Sequence, residues 1–340
     1  MGMFLLQPGF AIPSVSGMSR AIVTYDELTE AQKFQATSLG VMAFGNSATP
    51  RDVNIERKGA RCLSDYFGMF AIENGDTVGQ VNVYRFDYVF PGGRTEKIAG
   101  LAGVTTRADM ANRGIAKEII KAVHRRERDA GIKHSILWTS PSWHAHELYV
   151  ELGYSNIYSI QFAMKILSGR LKGKSGLRLA AARKADLELI GVIHSAASAG
   201  GTGFVRRDPG LVKSWVELGF IDVDRFRLIK NRGETIGYAF VEVDSGRVVC
   251  RELVVLPEHH LEDGIGLVEA LAGKGGLVLF RDVLTPETAS VFQSCGYKLF
   301  PSTWHVLMGA RLGRRMSETL AKKEFGTGSE DFRCQSGDVF

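Results

Sequence analysis

Gly103 to Ala116 reads Gly-Val-Thr-Thr-Arg-Ala-Asp-Met-Ala-Asn-Arg-Gly-Ile-Ala. Small and β-branched residues give way, through a polar loop, to a segment whose apolar residues recur at helical spacing. A helix that starts after such a loop presents unbonded amide N–H groups and the positive end of its dipole, which together hold an anion. Gly114 admits close approach of a ligand to the backbone, Ala116 keeps the first turn narrow, and Arg113 supplies a guanidinium matched to phosphate oxygens. The chemistry available at Asn112, Arg113, Gly114, Ile115 and Ala116 is capture of a phosphate or pyrophosphate. The same glycine pattern also occurs in ordinary strand-to-helix loops, so both readings stand on the residues alone.

Read as a motif, Ala111-Asn112-Arg113-Gly114-Ile115-Ala116 resembles the GNAT superfamily of acyl-CoA N-acyltransferases, whose Gln/Arg-x-x-Gly-x-Gly/Ala signature cradles the pyrophosphate of coenzyme A. Gly114 and Ala116 match; Ala111 stands where the family has Gln or Arg. The resemblance implies that the preceding strand bulges and that the backbone at Val104, Thr105 and Thr106 bonds the pantetheine arm. The long spacing from Val104 to Gly114 is similar to that of the tandem subgroup containing the enhanced-intracellular-survival aminoglycoside acetyltransferases. Downstream, Ala145, Leu148, Tyr149, Leu152, Gly153 and Tyr154 match the family's second block, and Ser142 replaces its frequent Asn at a coenzyme contact.

The resemblance gives Tyr149 the role of general acid, protonating the thiolate that departs when an amine attacks a thioester. A core tyrosine with a satisfied hydroxyl is the plain alternative. No base residue is fixed in the family. Glu96, Asp87 and His146 are the candidates, the last sharing a helix face with Tyr149 at a spacing of three. His144 and His146, two apart, do not make a helical metal pair, and no metal is expected.

The elements that must position these residues follow from periodicity. A strand at Ile22 precedes a helix from Glu27 capped by Asp26, and strands are expected at Asp65 to Ile72 and Val78 to Val89 around the turn Glu73-Asn74-Gly75-Asp76. A small-residue strand, Lys97 to Thr105, leads to the clearest helix, Ile115 to Ala130, with Ile115, Ile119, Ile120 and Val123 on one face and Gly131 as its cap. A strand at Ser135 to Trp138, a helix at Trp143 to Leu152 and a strand at Ile157 to Ile166 complete the unit. The polar, glycine-rich run Ser168 to Gly176 reads as a linker. A second series follows, with a helix from Asp186 and strands at Phe226 to Ile229, Ile236 to Val243 and Val248 to Leu256.

The second series echoes the first. Gly264-Ile265-Gly266 corresponds to Gly114-Ile115-Ala116, and Phe292-Gln-Ser-Cys-Gly-Tyr297 to Tyr149-Val-Glu-Leu-Gly-Tyr154. Leu261-Glu262-Asp263 replaces Ala111-Asn112-Arg113, placing two carboxylates where a pyrophosphate would be repelled. Phe292 keeps the bulk of Tyr149 and loses its hydroxyl. The expected fold is therefore α/β (α+β, GNAT-like): two tandem GNAT-fold domains with mixed central sheets flanked by helices, the second copy degenerate. Residues 1–19 are expected to be a disordered leader, 20–168 the catalytic domain, 169–176 the linker, 177–314 the degenerate domain and 315–340 a flexible tail. Met18 is an alternative start, and the Phe340 carboxylate a candidate visitor to the active site.

Length and composition agree with this plan. The 340 residues suit two domains, and 45% hydrophobic with 23% charged residues is a globular balance. Cys62, Cys250, Cys295 and Cys334 show no short paired spacing, which excludes a zinc knuckle or disulfide framework and points to reduced thiols and a cytoplasmic setting. Lys121, Arg125, Arg126 and Arg128 alternate with Glu118, Glu127 and Asp129, the pattern of a solvated helix face rather than a nucleic-acid stripe.

The function expected from the resemblance is N-acetyl transfer from acetyl-CoA to a primary amine. The partner is an amine-bearing small molecule or peptide, with no nucleic acid and no membrane; a homodimer stays open. A non-catalytic acyl-CoA-binding or sensing module is the rival reading, and transfer of another acyl group a third.

Overall fold

The computed structural model describes residues 20–43, 66–168, 176–219, 221–281, 285–329 and 331–333. The expected leader, nearly all of the linker, Cys62, Cys334 and Phe340 lie outside these residues.

In the N-terminal half, β1 (Ala21–Thr24) and α1 (Glu30–Ala43) precede β2 (Tyr66–Glu73) and β3 (Asp76–Val89). Thr29, not Asp26, caps α1: Gln32 N donates to Thr29 Oγ1 at 3.3 Å while Thr29 N donates to Gln32 Oε1 at 2.9 Å. That reciprocal pair needs Glu or Gln three residues after the cap, and Gln32 provides it. The β2–β3 turn puts Asn74 and Gly75 in left-handed backbone, at φ 54° and 84°, as a two-residue hairpin requires. Next come β4 (Thr95–Thr106), α2 (Ile115–Asp129), β5 (His134–Thr139), α3 (His144–Glu151) and β6 (Ser155–Ile166). The expected stripe Ile115, Ile119, Ile120 and Val123 is buried against Val78, Val81, Ala99 and Leu101, each such side chain worth about 1.5–3 kcal/mol.

The C-terminal half contains β7 (Leu177–Ala181), α4 (Leu187–Ala197), β8 (Phe204–Arg206), α5 (Leu211–Leu218), β9 (Phe226–Asn231), β10 (Glu234–Asp244) and β11 (Arg247–Val255). It continues with α6 (Leu261–Ala272), β12 (Leu277–Phe280), α7 (Pro286–Ser294), β13 (Lys298–Arg311) and α8 (Glu318–Phe325). The repeat extends to side chains. Tyr154 N donates to Tyr149 O and Tyr297 N to Phe292 O, both at 3.0 Å, and each aromatic pair packs edge-on. β4 and β5 pair in parallel, as do β11 and β12.

One sheet joins the halves, in the order β1-β2-β3-β4-β5-β13-β6-β12-β11-β10-β9-β7, with β8 added to the end of β3. The closing strands are exchanged. β13 runs antiparallel to β5, matching Val306 with Thr139 through Arg311 with His134, whereas β6 runs antiparallel to β12. β13 and β6 also pair with each other at the centre.

Two expectations change here. α6 begins at Leu261, so Gly264, Ile265 and Gly266 lie inside the helix instead of opening it. Their amides face helical carbonyls, and the second clamp is lost by helix extension as well as by charge. Beyond Arg314 the chain is not a loose tail: α8 buries Ala321 and Phe325, and Phe332 is 3% exposed. With only two buried positions in eight residues, α8 carries too little periodicity to be read from sequence. Among the described residues no helix is long and apolar enough to cross a membrane.

Candidate active site

β4 and β5 share only two ladder positions, Ala99 with Ser135 and Gly100 with Ile136; beyond Gly100 and Ile136 no pairing joins them. Along the same stretch β4 bulges. Gln80 faces Thr105 and Asn82 faces Ala102, so Gly103 and Val104 both oppose Val81. Gly103 adopts φ 56°, and a Cβ there would stand 2.7 Å from the Asn82 amide nitrogen, which is why glycine occupies the bulge. The strand distortion expected at Val104 is thus present, one residue wide.

The loop from β4 to α2 ends in two left-handed residues, Asn112 at φ 62° and Gly114 at φ 75°. Gly114 precedes the first turn of α2, and nothing lies within 4 Å of where its Cβ would be. Among the described residues no carbonyl or side chain accepts from the amides of Asn112 through Ala116. These are the free donors that the sequence implied. Gly79 lets α2 settle onto β3, since a Cβ there would meet Ile115 Cγ2 at 2.7 Å.

Arg113 behaves differently from a free phosphate ligand. Its Nη2 donates to Glu73 Oε1 at 2.9 Å and its Nη1 to Met110 Sδ at 2.7 Å, with the side chain half exposed. Glu73 is buried, and hydrogen bonding from Arg20, reinforced by the charge of Arg113, holds its carboxyl below the ordinary range. The guanidinium therefore fixes the loop against β2, leaving its outer edge toward solvent. Ala111 is exposed and offers only backbone, its N–H closing a turn onto Ala108 O. Ser142 is exposed at the approach to α3, its amide donating to Ser140 Oγ at 3.3 Å.

Tyr149 is 6% exposed and belongs to the core cluster that includes Ile115 and, at its edge, Val104, Ala145 and Leu148. The tyrosine, the first residue of α2 and the bulged strand thus share one core cluster. The Tyr149 hydroxyl bonds no other described residue, yet it is not among the sealed, unpartnered polar atoms. Burial pushes its phenol up to about 12, so it stays protonated at any physiological pH.

The candidate bases are not gathered there. Glu96 lies eight residues before Val104 on an extended strand, roughly 26 Å away at ~3.3 Å per residue, and its carboxylate faces His134 and Arg94. Asp87 pairs with Lys97 at the same remote end. His146 is on α3 as expected, but Nε2 is engaged by Asn156 Oδ1 at 2.9 Å. Residues that sequence reasoning missed are Trp138 and Tyr158, packed edge-on with ring centroids 6.4 Å apart, the latter against Phe332. Trp138 Nε1 and the hydroxyls of Thr105 and Thr139, on the two diverging strands, are buried with no partner among the described residues. Only the pairing of β5 with β13 makes this set visible. Among the described residues no group of three His, Cys, Asp or Glu side chains could hold a metal ion.

Residues 24–157 match the family model of the acetyltransferase (GNAT) domain. No curated protein matches the chain. Solved structures share the fold across both halves: a GCN5-related N-acetyltransferase from Anabaena variabilis (15% identity, TM-score 0.67, covering 87% of this chain and 73% of that one) and a probable N-acyltransferase from Enterococcus faecalis (16%, 0.64, 87% and 73%). A tandem GNAT protein from the clavulanic acid biosynthesis pathway is similar at 12% identity and TM-score 0.53, covering 88% of this chain and 100% of its own. The likenesses carry the tandem fold; the family match covers the N-terminal half alone.

Proposed function

We infer that this chain, whose residues 24–157 match the GNAT acetyltransferase domain and whose two halves share the tandem fold, is an N-acetyltransferase moving acetyl from acetyl-CoA to a primary amine of a small molecule or peptide. What supports the reading is Tyr149 packed in the same core cluster as Ile115 and Val104, which are next in sequence to the free amides before α2 and to the bulge at Gly103.

In this reading the amides of Asn112 to Ala116 hold the pyrophosphate, and the backbone at Val104, Thr105 and Thr106 takes the pantetheine arm. The amine nitrogen attacks the thioester carbonyl carbon, the C–N bond forms, and the C–S bond breaks with its electron pair going to sulfur. Tyr149 gives its proton to that sulfur. Burial that raises the phenol also raises the basicity of a thiolate leaving beside it, which narrows the gap in proton affinity. The ammonium proton leaves through water, since Glu96 and Asp87 are out of reach.

A second reading, an acyl-CoA-sensing module without turnover, is favoured by Ala111 and by the engagement of Arg113 with Glu73. A panel of amines with acetyl-CoA, followed by release of free thiol, separates the two. Thiol release above the rate without amine supports the enzyme. Saturable acetyl-CoA binding with no release across the panel supports the sensor.

A further inference from the structure

The outer face of α2 carries Lys121, Arg125 and Arg128, at i, i+4 and i+7, on one side of the helix. Glu118, one turn before them, and Glu127, between the two arginines, do not neutralise this face. Glu118 is taken by Arg20 at 2.7 Å, and Glu127 is fully buried beneath a bidentate Arg85, both bonds at 2.9 Å. The end of β13 and the turn after it then bring Arg311, Arg314 and Arg315 to the same place. Gly313, at φ 87°, lies so close that a Cβ would stand 3.3 Å from Arg128 Cδ.

The result is a pocket of about 370 Å³ lined by these six cations and a single carboxylate, Glu151. That carboxylate is already bonded by Lys117 at 2.6 Å, and the Glu151 carbonyl accepts from Arg315 at 2.9 Å. Among the described residues Lys121, Arg125, Arg128 and Arg314 have no carboxylate partner. In the pocket wall His124 is 8% exposed, its Nε2 3.0 Å from the Tyr154 hydroxyl. Gathering like charges without counter-charges disfavours the folded state, and a multivalent anion relieves the repulsion while accepting several charge-assisted hydrogen bonds.

We propose that this pocket is a binding site for a compact multivalent phosphate, a triphosphate group, distinct from the acyl-donor cleft. Arg125 lies eleven residues beyond Gly114, roughly 16 Å along the helix at ~1.5 Å per residue, with the Lys117–Glu151 bridge between. A closed cluster rather than a long stripe fits a short polyanion better than a nucleic-acid strand.

Calorimetry on the full chain with inorganic triphosphate tests it, with ATP as a second probe and inorganic phosphate at matched ionic strength as reference. Triphosphate binds at least tenfold tighter than phosphate. Arg125→Ser with Arg314→Ser weakens it at least tenfold, the corresponding lysine pair restores most of the affinity, and acetyl-CoA binding changes less than twofold. ATP no weaker than triphosphate names a nucleotide as the source; weaker ATP names the free polyphosphate. The proposal is overturned if triphosphate binds no better than phosphate, or if the serine pair leaves it unchanged. It is also overturned if that pair weakens acetyl-CoA equally, which makes the pocket part of the donor site, or if a single-stranded oligonucleotide binds tenfold tighter than triphosphate.

Discussion

The rings of Tyr149 and Tyr154 meet edge-on, centroids 5.9 Å apart at 67°, while the Tyr154 hydroxyl is held by Ser135 at 2.7 Å and by His124 at 3.0 Å. Tyr154 is thus locked, and it presents a fixed wall against which Tyr149 is oriented with its own hydroxyl unclaimed. Removing that hydroxyl costs no hydrogen bond to any described residue. Tyr149→Phe is expected to retain its melting temperature and an acetyl-CoA affinity within twofold, and to lose about 10²-fold in kcat, the share of a positioned proton donor. Unchanged turnover would remove Tyr149 from the chemistry.

Gly114 combines a left-handed backbone with empty space where a side chain would start. Gly114→Ala therefore meets no clash, and pays about 1 kcal/mol for the backbone conformation. The added methyl would occupy the open space at the start of α2. Acetyl-CoA affinity should fall at least tenfold with a melting temperature lowered by a few degrees; direct titration measures the first and calorimetry the second.

His124 is pushed down to about 4 by burial, with Arg128 adding to the shift. The unfolded chain takes up a proton near the ordinary value of 6.5 and the folded chain does not, so the sign is fixed. This contribution is fully present above pH 6.5 and is lost as pH falls toward 4, a change of about 3 kcal/mol. Denaturant titrations of the native chain should show that slope, and His124→Gln should flatten it. Parallel curves for the two proteins would assign the acid loss to other groups.

The strand exchange predicts that the halves hold each other. A protease site inserted in residues 169–175, once cut, should leave two fragments that elute together. Residues 20–168 alone, with β5 lacking β13, should aggregate or remain unfolded by circular dichroism, because an unpaired, apolar sheet edge is exposed. A stable, folded monomer of 20–168 would contradict this.

Much of the candidate cleft's local geometry was legible in the sequence because its parts are local. Gly103 at a bulge, Gly114 before a 3.6-period stripe, and Tyr149 four residues from Gly153 each depend on neighbours a few positions away. What was not legible is set at long range. The charge alternation around Lys121 and Arg125 suggested a solvated face, and only the folded positions of Arg20 and Arg85 show where Glu118 and Glu127 go. Glu96 and Asp87 looked close to the chemistry because they border the right strands; the length of β4 puts them at its wrong end. Nothing in the periodicity of Lys298 to Arg311 says that this strand belongs beside β5, and Trp138 stayed unnoticed for the same reason.

The position of β13 has a bearing on how the molecule is made. Translation delivers β5 long before its neighbour, and some 160 residues must leave the ribosome between Thr139 and the strand that flanks it. The N-terminal half is therefore incomplete until β13 has been made. Premature termination anywhere between β5 and β13 should yield a polypeptide with an open sheet and no assembled cleft.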